Sequence, residues 1–205
     1  MGRNMQLEAT CWENQTTPDK EAQSIDNMEI IELGCALTTR AGRILDTRSF
    51  LVKPERYSTL SSFCTELTGI TQSMVDTALT FPEAIQKLNF WLGQPTKDFI
   101  WCSWGNYDLK HLTAQNDRSG PEAFILNYPH LNLKRLWRRT TGQRKKTGLT
   151  NAMAFHDLVF EGNHHRGVDD ARNISRLLPF MDWSLEEELL TLPKPALKEY
   201  QSPQP

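Results

Sequence analysis

Two apolar runs joined by a short turn place the first constraint on this fold. Met28 to Thr39 contains closely spaced apolar residues, and Ile44 to Val52 follows after Ala41-Gly42-Arg43. Runs of this length on either side of a glycine-containing turn predict an antiparallel hairpin. A poorer run at residues 5–12 predicts a short strand ahead of the hairpin. The sequence therefore predicts three strands before the first helix.

Helical patterns and one further strand follow the hairpin. Helices are predicted at 63–67, 71–76, 82–92, 107–115, 131–141, 148–158 and 168–181, with a strand at 98–104. This order is typical of an α/β fold with a mixed sheet flanked by helices. The 205 residues suit one domain, at 1–183, and the proline-rich residues 184–205 are expected to form a loosely held extension.

Composition limits the classes of protein. The formal net charge is −2, so attraction to a polyanion must be local. The four cysteines form no Cys-X-X-Cys pair, which argues against a zinc ribbon or a disulfide framework and is typical of a reducing compartment. No apolar run approaches the ~20 residues that span a bilayer, and the first residues lack the apolar segment of a signal peptide. We therefore expect a cytoplasmic protein without a membrane partner.

Acidic residues stand at two predicted strand ends and at the start of the last long helix. Glu8 follows the first strand, Asp108 follows the fourth, and Asp170 lies in the first helical turn, five residues after His165. Sites in such sheets collect at the carboxyl ends of strands. Each acid alone could be a helix cap or a surface group. Together the carboxylates suit Mg²⁺ or Mn²⁺, and a neutral histidine can take a proton from water. Two such ions would favour hydrolysis of nucleic acid.

Four segments together carry a family resemblance. They are Leu-Glu-Ala-Thr-Cys-Trp-Glu at 7–13, Glu-Leu-Thr-Gly-Ile-Thr at 66–71, Ser-Trp-Gly-Asn-Tyr-Asp at 103–108 and His-Arg-Gly-Val-Asp-Asp-Ala-Arg-Asn at 165–173. In order and spacing, from about residue 5 to 182, they resemble the DEDDh 3′→5′ exonucleases, and among these the ERI-1-like group. The resemblance implies a ribonuclease H-like fold, here expected as a five-stranded mixed sheet, and removal of 5′-mononucleotides from single-stranded 3′ ends of RNA or DNA.

The resemblance also implies roles for individual residues. Glu8, Asp108 and Asp170 would bind two Mg²⁺ or Mn²⁺ ions, and His165, rather than His164, would activate water. Asp169 is expected to cap the last long helix. The residues expected beside the terminal nucleotide are Ala9, Thr10, Leu67, Thr68, Gly69 and Ile70.

One position departs from the family pattern. The family's first carboxylate lies two residues before the glutamate, where this chain has Gln6. In the family that residue bridges both metals, so a neutral amide removes one negative charge from the site, and its oxygen is a poorer ligand. We therefore expect weakened metal binding and low activity. The alternative is a nucleic-acid-binding protein on the same fold that has lost turnover.

A basic cluster lies between Lys134 and Lys146. Its seven members are Lys134, Arg135, Arg138, Arg139, Arg144, Lys145 and Lys146. The cluster could guide a phosphate backbone to the site, with Arg138 and Arg139 as contacts. A solvated helix face is the alternative. Trp104 is a candidate to stack on a base, with core packing as the other interpretation. A third possibility for the whole site is a metal enzyme acting on small phosphoesters.

Overall fold

The chain folds around a mixed sheet in a computed structural model that describes residues 2–93, 99–119, 122–145 and 147–193. The strands are β1 Gly2–Ala9, β2 Ile30–Thr38, β3 Ile44–Leu51, β4 Ile100–Ser103, β5 His130–Asn132 and β6 Leu190–Thr191. The helices are α1 Ser62–Thr68, α2 Gln72–Asp76, α3 Phe81–Leu92, α4 Tyr107–Ser119, α5 Leu133–Thr141, α6 Leu149–Ala154, α7 Gly167–Leu177 and α8 Glu186–Leu189.

The strand order is β3-β2-β1-β4-β5-β6. Strand β1 is antiparallel to β2 and parallel to β4, so it lies where the two halves of the sheet meet. The predicted hairpin is confirmed, because β2 and β3 pair in antiparallel register. The predicted α/β class with a mixed sheet flanked by helices is likewise confirmed.

The predicted number of five strands is wrong by one. Strand β6 pairs with β5 in antiparallel register, and its two residues are too few to show a periodicity in sequence. Nearby, Leu189 is buried and Arg40 forms an ion pair of 2.7 Å with Glu186. Part of the expected extension thus joins the sheet, whereas residues 194–205 lie outside the described residues. A domain limit at residue 183 stays a prediction.

Several helix ends differ from the predicted ones. The helix predicted at 131–141 begins only at Leu133, because β5 occupies the preceding residues and the side chain of Asn132 caps the helix by accepting from the amide of Arg135. The helix predicted at 148–158 ends at Ala154, and the one predicted at 168–181 ends at Leu177 and continues as a 3-10 turn. These are boundary differences, and each predicted helix is present.

Apolar cores lie on both faces of the sheet. One contains Met5, Leu33, Ile85, Leu88 and Leu112, between the sheet and helices α3 and α4. The other contains Cys102, Leu131, Leu136, Trp137 and Ile174, on the side of α5, α6 and α7. Within the described ranges, none of the helices combines the length and apolarity required to cross a bilayer.

Strand β1 looks weak in sequence because one of its faces is polar and yet buried. Asn4, Gln6 and Glu8 alternate with apolar residues and are 0%, 7% and 9% exposed. Helix α7 covers this face, and Asn4 Nδ2 donates a hydrogen bond of 2.8 Å to the carbonyl oxygen of Ala171. Because this hydrogen bond replaces one to water, burial of the Asn4 amide costs little free energy. The face of β1 that lacks hydrophobicity is therefore the one that carries the candidate site.

Helix α7 begins in direct contact with β2. An added methyl at Gly34 would stand 2.0 Å from the carbonyl carbon of Gly167, so no larger residue fits at this position. Beside it, the amide of Gly167 donates a hydrogen bond of 2.8 Å to Glu32 Oε2. This close approach fixes where the loop leading into α7 sits relative to the end of β1.

Candidate functional site

The three predicted carboxylates converge at the carboxyl end of β1. Glu8 lies near the end of that strand, Asp108 in the first turn of α4, and Asp170 in the first turn of α7. The amide of Leu7 donates a hydrogen bond of 2.8 Å to Asp108 Oδ1, which holds the start of α4 against β1. The negative charges of Asp170 and Asp108 both act on Glu8. The structure therefore brings these predicted residues together.

Burial and mutual repulsion make this group of acids weak ones. Burial raises the pKa of Glu8 well above its usual range, and the charges of Asp170, Glu32 and Asp108 raise it further. Burial also raises the pKa of Asp108 to about 6, against the hydrogen bond from Leu7, and the pKa of Asp170 to about 7. Ionising all of them together costs free energy, and a bound cation would offset that cost.

The donor set fits a hard divalent cation. Asp170 Oδ1 is buried without a hydrogen-bond partner in the described part of the chain, and such an orphaned carboxylate oxygen suits a metal ion. Glu8, Asp108 and Asp170 would hold Mg²⁺ or Mn²⁺. Gln6 contributes no charge, and its Nε2 donates to the oxygen of Met5 at 2.8 Å and to Asn4 Oδ1 at 3.1 Å. The amide is thus bonded to its own strand through its nitrogen.

His165 lies on the loop that enters α7, beside Asp170. Its backbone adopts a φ of +66°, which is uncommon for a residue other than glycine and is found at constrained functional positions. Partial burial lowers the pKa of the imidazole, and neighbouring His164 lowers it further. The ring is therefore neutral near pH 7 and can accept a proton. His164 is exposed, and its ring lies 3.9 Å from that of His165 between centroids.

Glu32 is a site residue that the sequence analysis missed. Its side chain is fully buried on β2, where Glu32 pairs with Glu8 in register. Oε1 forms an ion pair of 3.2 Å with Nε of Arg166, and Oε2 accepts from Gly167. Because both partners follow His165 directly, Glu32 fixes the histidine loop. The available signal was a lone acid inside the otherwise apolar strand at 30–38.

The prediction that Asp169 caps α7 is wrong. The N-cap residue is Arg166, which makes no side-chain cap, and Glu32 satisfies the first helical amide instead. Asp169 turns back, and its Oδ2 accepts a hydrogen bond of 3.1 Å from the amide of Asn163. The distant Glu32 could not be found from the local pattern on which capping rules depend.

An open cleft of about 510 Å³ adjoins Glu8. Two predicted nucleotide contacts, Ala9 and Leu67, line it. Three aromatic residues also line it, namely Trp12, Phe63 and Tyr107. Phe63 and Tyr107 were not predicted as site residues, although Tyr107 directly precedes the candidate ligand Asp108 in sequence. Aromatic rings of this kind can stack on nucleobases.

The other predicted nucleotide contacts take different positions. Thr10, Thr68 and Ile70 are buried, and they are not among the residues that line the cleft. Thr10 Oγ1 accepts a hydrogen bond of 2.9 Å from the amide of Glu29, and a contact of Thr10 with the nucleotide stays a prediction. Gly69 is exposed with a φ of +69° and ends α1, and a methyl there would lie 3.9 Å from Asn163 Nδ2. Gly69 thus faces the histidine loop.

Trp104 lies in the core rather than in the cleft. It is 9% exposed, and its ring centroid lies 6.2 Å from that of Trp137. A base has no access to a ring that is packed in this way. Of the two interpretations of Trp104, the structure therefore supports core packing.

The described part of the basic cluster is divided along α5. Arg138 donates to the backbone oxygens of Gln143 and Arg144, and Arg139 forms an ion pair of 3.2 Å with Glu188. Both guanidinium groups are therefore engaged by hydrogen bonds or an ion pair within the protein. Lys134, at the other end of the helix, lies near the site, since its charge lowers the pKa of Asp108 against the dominant effect of burial. Lys146 lies outside the described residues.

Mg²⁺ is expected to stabilise the protein more at pH 8 than at pH 6. Protons compete with the cation for carboxylates whose pKa values are raised to about 6 in Asp108 and about 7 in Asp170. The apparent affinity for Mg²⁺ should rise about tenfold or more between these pH values, because cation binding releases protons. The measurement is the shift in Tm on adding MgCl₂ at each pH. Equal shifts at both values would contradict the expectation.

At each pH, the shift in Tm is the difference between samples with and without Mg²⁺. The effect of groups whose titration does not depend on the metal cancels in this difference. Without metal, the raised carboxyl pKa values make the native state bind more protons than the unfolded chain, so stability falls as pH rises from about 4 to 7. His111 and His130 act oppositely below pH 6.5, because burial lowers the pKa of each to about 4. Asp182→Asn, a change at an exposed acid that is not among the charges acting on Glu8, Asp108 or Asp170, is the matched control.

The chain is similar to several characterised nucleases. A sequence profile described as exonuclease matches residues 7–178. The chain is 28% identical to the 3′-5′ exonuclease Snipper of Drosophila melanogaster over 84% of this chain and 66% of that protein. It is 33% identical to 3′-5′ exoribonuclease 1 of Homo sapiens over 83% of this chain and 49% of that protein. It therefore spans about half to two thirds of the length of these relatives.

Solved structures agree in fold. The nuclease domain of 3′hExo, a DEDDh family member bound to rAMP, superposes with a TM-score of 0.74 at 29% identity, covering 87% of this chain and 89% of that one. A 3′-exonuclease structure described as showing 3′-end specific recognition of a histone mRNA stem-loop gives a TM-score of 0.69 at 27% identity, covering 87% of this chain and 79% of that one.

Proposed function

Because this chain belongs to the exonuclease family, in its DEDDh class and ERI-1-like branch, we propose that it is a metal-dependent 3′→5′ exonuclease. Its substrate would be single-stranded 3′ ends, RNA in preference to DNA, and its products 5′-mononucleotides. The observation that carries the proposal is the convergence of Glu8, Asp108 and Asp170 with His165 beside an open cleft. The ribonuclease H-like fold supports it.

In the proposed reaction, a few residues bind metal, accept a proton or position another residue. Two Mg²⁺ or Mn²⁺ ions, when held by Glu8, Asp108 and Asp170, would supply positive charge for the reacting phosphodiester. His165 accepts the proton of the attacking water at a ring nitrogen, as a neutral imidazole can near pH 7. Glu32 keeps the histidine loop in place through Arg166. The aromatic wall of the cleft gives the terminal nucleoside an apolar surface.

A second candidate function follows from Gln6. With a neutral amide where the family has a carboxylate, the chain would bind nucleic acid and fail to turn it over. This candidate predicts salt-sensitive affinity for RNA without shortening, weakened by charge reversal at Arg138 and Arg139. An enzyme for small phosphoesters would be indifferent to both arginines. We include a cytoplasmic location in the proposal, since the four cysteines are buried and form no disulfide, which favours a reducing compartment.

The test is a time course with a 5′-labelled single-stranded RNA and Mn²⁺. We expect a ladder of products that shortens stepwise from the 3′ end, more slowly for single-stranded DNA of the same sequence. Asp108→Asn, which removes a charge that the cation needs, should lower the rate by about 100-fold or more. Asp182→Asn is the control and should keep the wild-type rate. Binding without shortening, by this chain and by its Gln6→Asp variant alike, would contradict the nuclease proposal.

A further inference from the structure

Two adjacent histidines meet an acid at the start of α7. One ring nitrogen of His164, one ring nitrogen of His165 and one carboxylate oxygen of Asp170 lie within 4.8 Å of one another. His164 is exposed, whereas the other two are partly buried. The proposed hydrolysis uses His165 as a base and Asp170 as a ligand, and it gives His164 no task.

These three donors favour a different class of metal ion from the one that the cluster of Glu8, Asp108 and Asp170 favours. Two imidazole nitrogens and one carboxylate oxygen are typical ligands of Zn²⁺, which often takes three protein ligands and one water. Mg²⁺ prefers oxygen ligands and keeps its water, so His164 adds little to its binding. Ions such as Zn²⁺ bind nitrogen donors more strongly. The two sets of donors share only Asp170.

The loop that carries the histidines is held before any metal arrives. The amide of Arg166 donates a hydrogen bond of 3.1 Å to the oxygen of Asn163, and Asp169 accepts from the amide of Asn163. Gly162 has a φ of +85°, and a methyl there would stand 2.6 Å from Asp169. On the other side, Arg166 is fixed by Glu32. Little backbone conformational entropy therefore remains to be lost when both rings bind one ion.

We propose that His164, His165 and Asp170 form a site for one borderline transition-metal ion of the Zn²⁺ type. Its occupation removes the free nitrogen of His165 and engages Asp170, so the ion acts as an inhibitor of hydrolysis. The inhibition rests on the proposed nuclease function. The binding itself does not.

Calorimetric titration with ZnCl₂ tests the site directly. The protein is first freed of transition metals and is then kept in excess MgCl₂ throughout the titration. We expect one Zn²⁺ to bind against the Mg²⁺ background. His164→Ala should weaken this binding by about tenfold or more, since loss of a direct ligand exceeds the ~10-fold to 100-fold cost of losing an outer-shell partner. Asn163→Ala changes an exposed neighbour on the same loop and should bind Zn²⁺ as the wild type does.

A second variant distinguishes the loss of a metal ligand from a change in the conformation of the loop. His165→Asn removes another ligand, and asparagine tolerates the left-handed backbone that His165 adopts. It should also lose about tenfold or more in Zn²⁺ affinity. Wild-type affinity in His164→Ala, or a wild-type protein that binds no Zn²⁺ in the presence of Mg²⁺, would overturn the proposal.

Activity gives a separate readout of inhibition. With RNA and Mg²⁺, His164→Ala should shorten the substrate at the wild-type rate and need about tenfold more ZnCl₂ for half inhibition. Equal sensitivity of both proteins would refute inhibition through this site. If neither protein shortens RNA while calorimetry shows the expected loss, the metal site stands and the nuclease proposal fails. If both proteins shorten RNA and neither binds Zn²⁺, the nuclease proposal stands and the metal site fails.

Discussion

Gln6→Asp is expected to raise the rate of 3′-end shortening by about 100-fold, equivalent to roughly 3 kcal/mol of transition-state stabilisation. Aspartate restores a charged oxygen ligand on the face of β1 that already carries Glu8. The change also removes Gln6 Nε2, which donates to the oxygen of Met5 at 2.8 Å and to Asn4 Oδ1 at 3.1 Å. Each lost hydrogen bond costs about 1 kcal/mol of folding stability.

The matched control for this change is Gln6→Asn. Asparagine has the length of aspartate without its charge, so the pair separates electrostatics from side-chain size. The time course with labelled RNA should show acceleration for Gln6→Asp alone, together with tighter Mg²⁺ binding in titration calorimetry. Acceleration of both variants would assign the effect to length, and acceleration of neither would mean that a carboxylate at this position is not what limits the site.

His165→Asn is expected to lower the shortening rate by about 100-fold to 10,000-fold, the usual contribution of a general base. Asparagine can adopt the φ of +66° found at this position, so the loop should keep its shape. At saturating Mn²⁺, which competes with protons for Asp108 and Asp170, the wild-type rate should fall as pH drops through the lowered pKa of the imidazole, and the variant should lose that dependence. RNA affinity should change little, because the ring acts on water.

His164→Ala is the control for this second experiment. It removes the neighbouring imidazole and, without Zn²⁺, should retain the wild-type rate. An unchanged rate and pH profile in His165→Asn would refute the assigned base, and a loss confined to His164→Ala would transfer that role to His164.

Local patterns predicted the elements of this fold well, for physical reasons. The hairpin and the helices each carry a periodicity within one segment, and the acids Glu8, Asp108 and Asp170 follow strand ends or a helix start where such sites gather. Strands β5 and β6 escaped prediction because three and two residues are too few to show a period. The polar face of β1 looked unfavourable because the hydrogen bond that compensates Asn4 comes from α7.

Residues whose roles depend on distant partners were placed less well. Glu32 acts through Arg166 and Gly167, which no local rule connects to β2. Arg138 and Arg139 looked like free cations in sequence, yet a turn and α8 engage them. Trp104 stands next to a motif and could not be told from a stacking residue until its packing against Trp137 was known.

The contacts that join β1 and β2 to α7 also bear on how the protein is made. Asn4 meets Ala171 across 167 positions of sequence, and Glu32 meets Gly167 across 135. Contacts between such distant segments slow folding, because a long loop must close before they form. A ribosome releases β1 and β2 long before α7, so the contacts that hold the histidine loop cannot form until the start of α7 has been made. A nascent chain that lacks α7 therefore cannot bring Asp170 beside Glu8, and the group of acids assembles only after the start of α7 has been made.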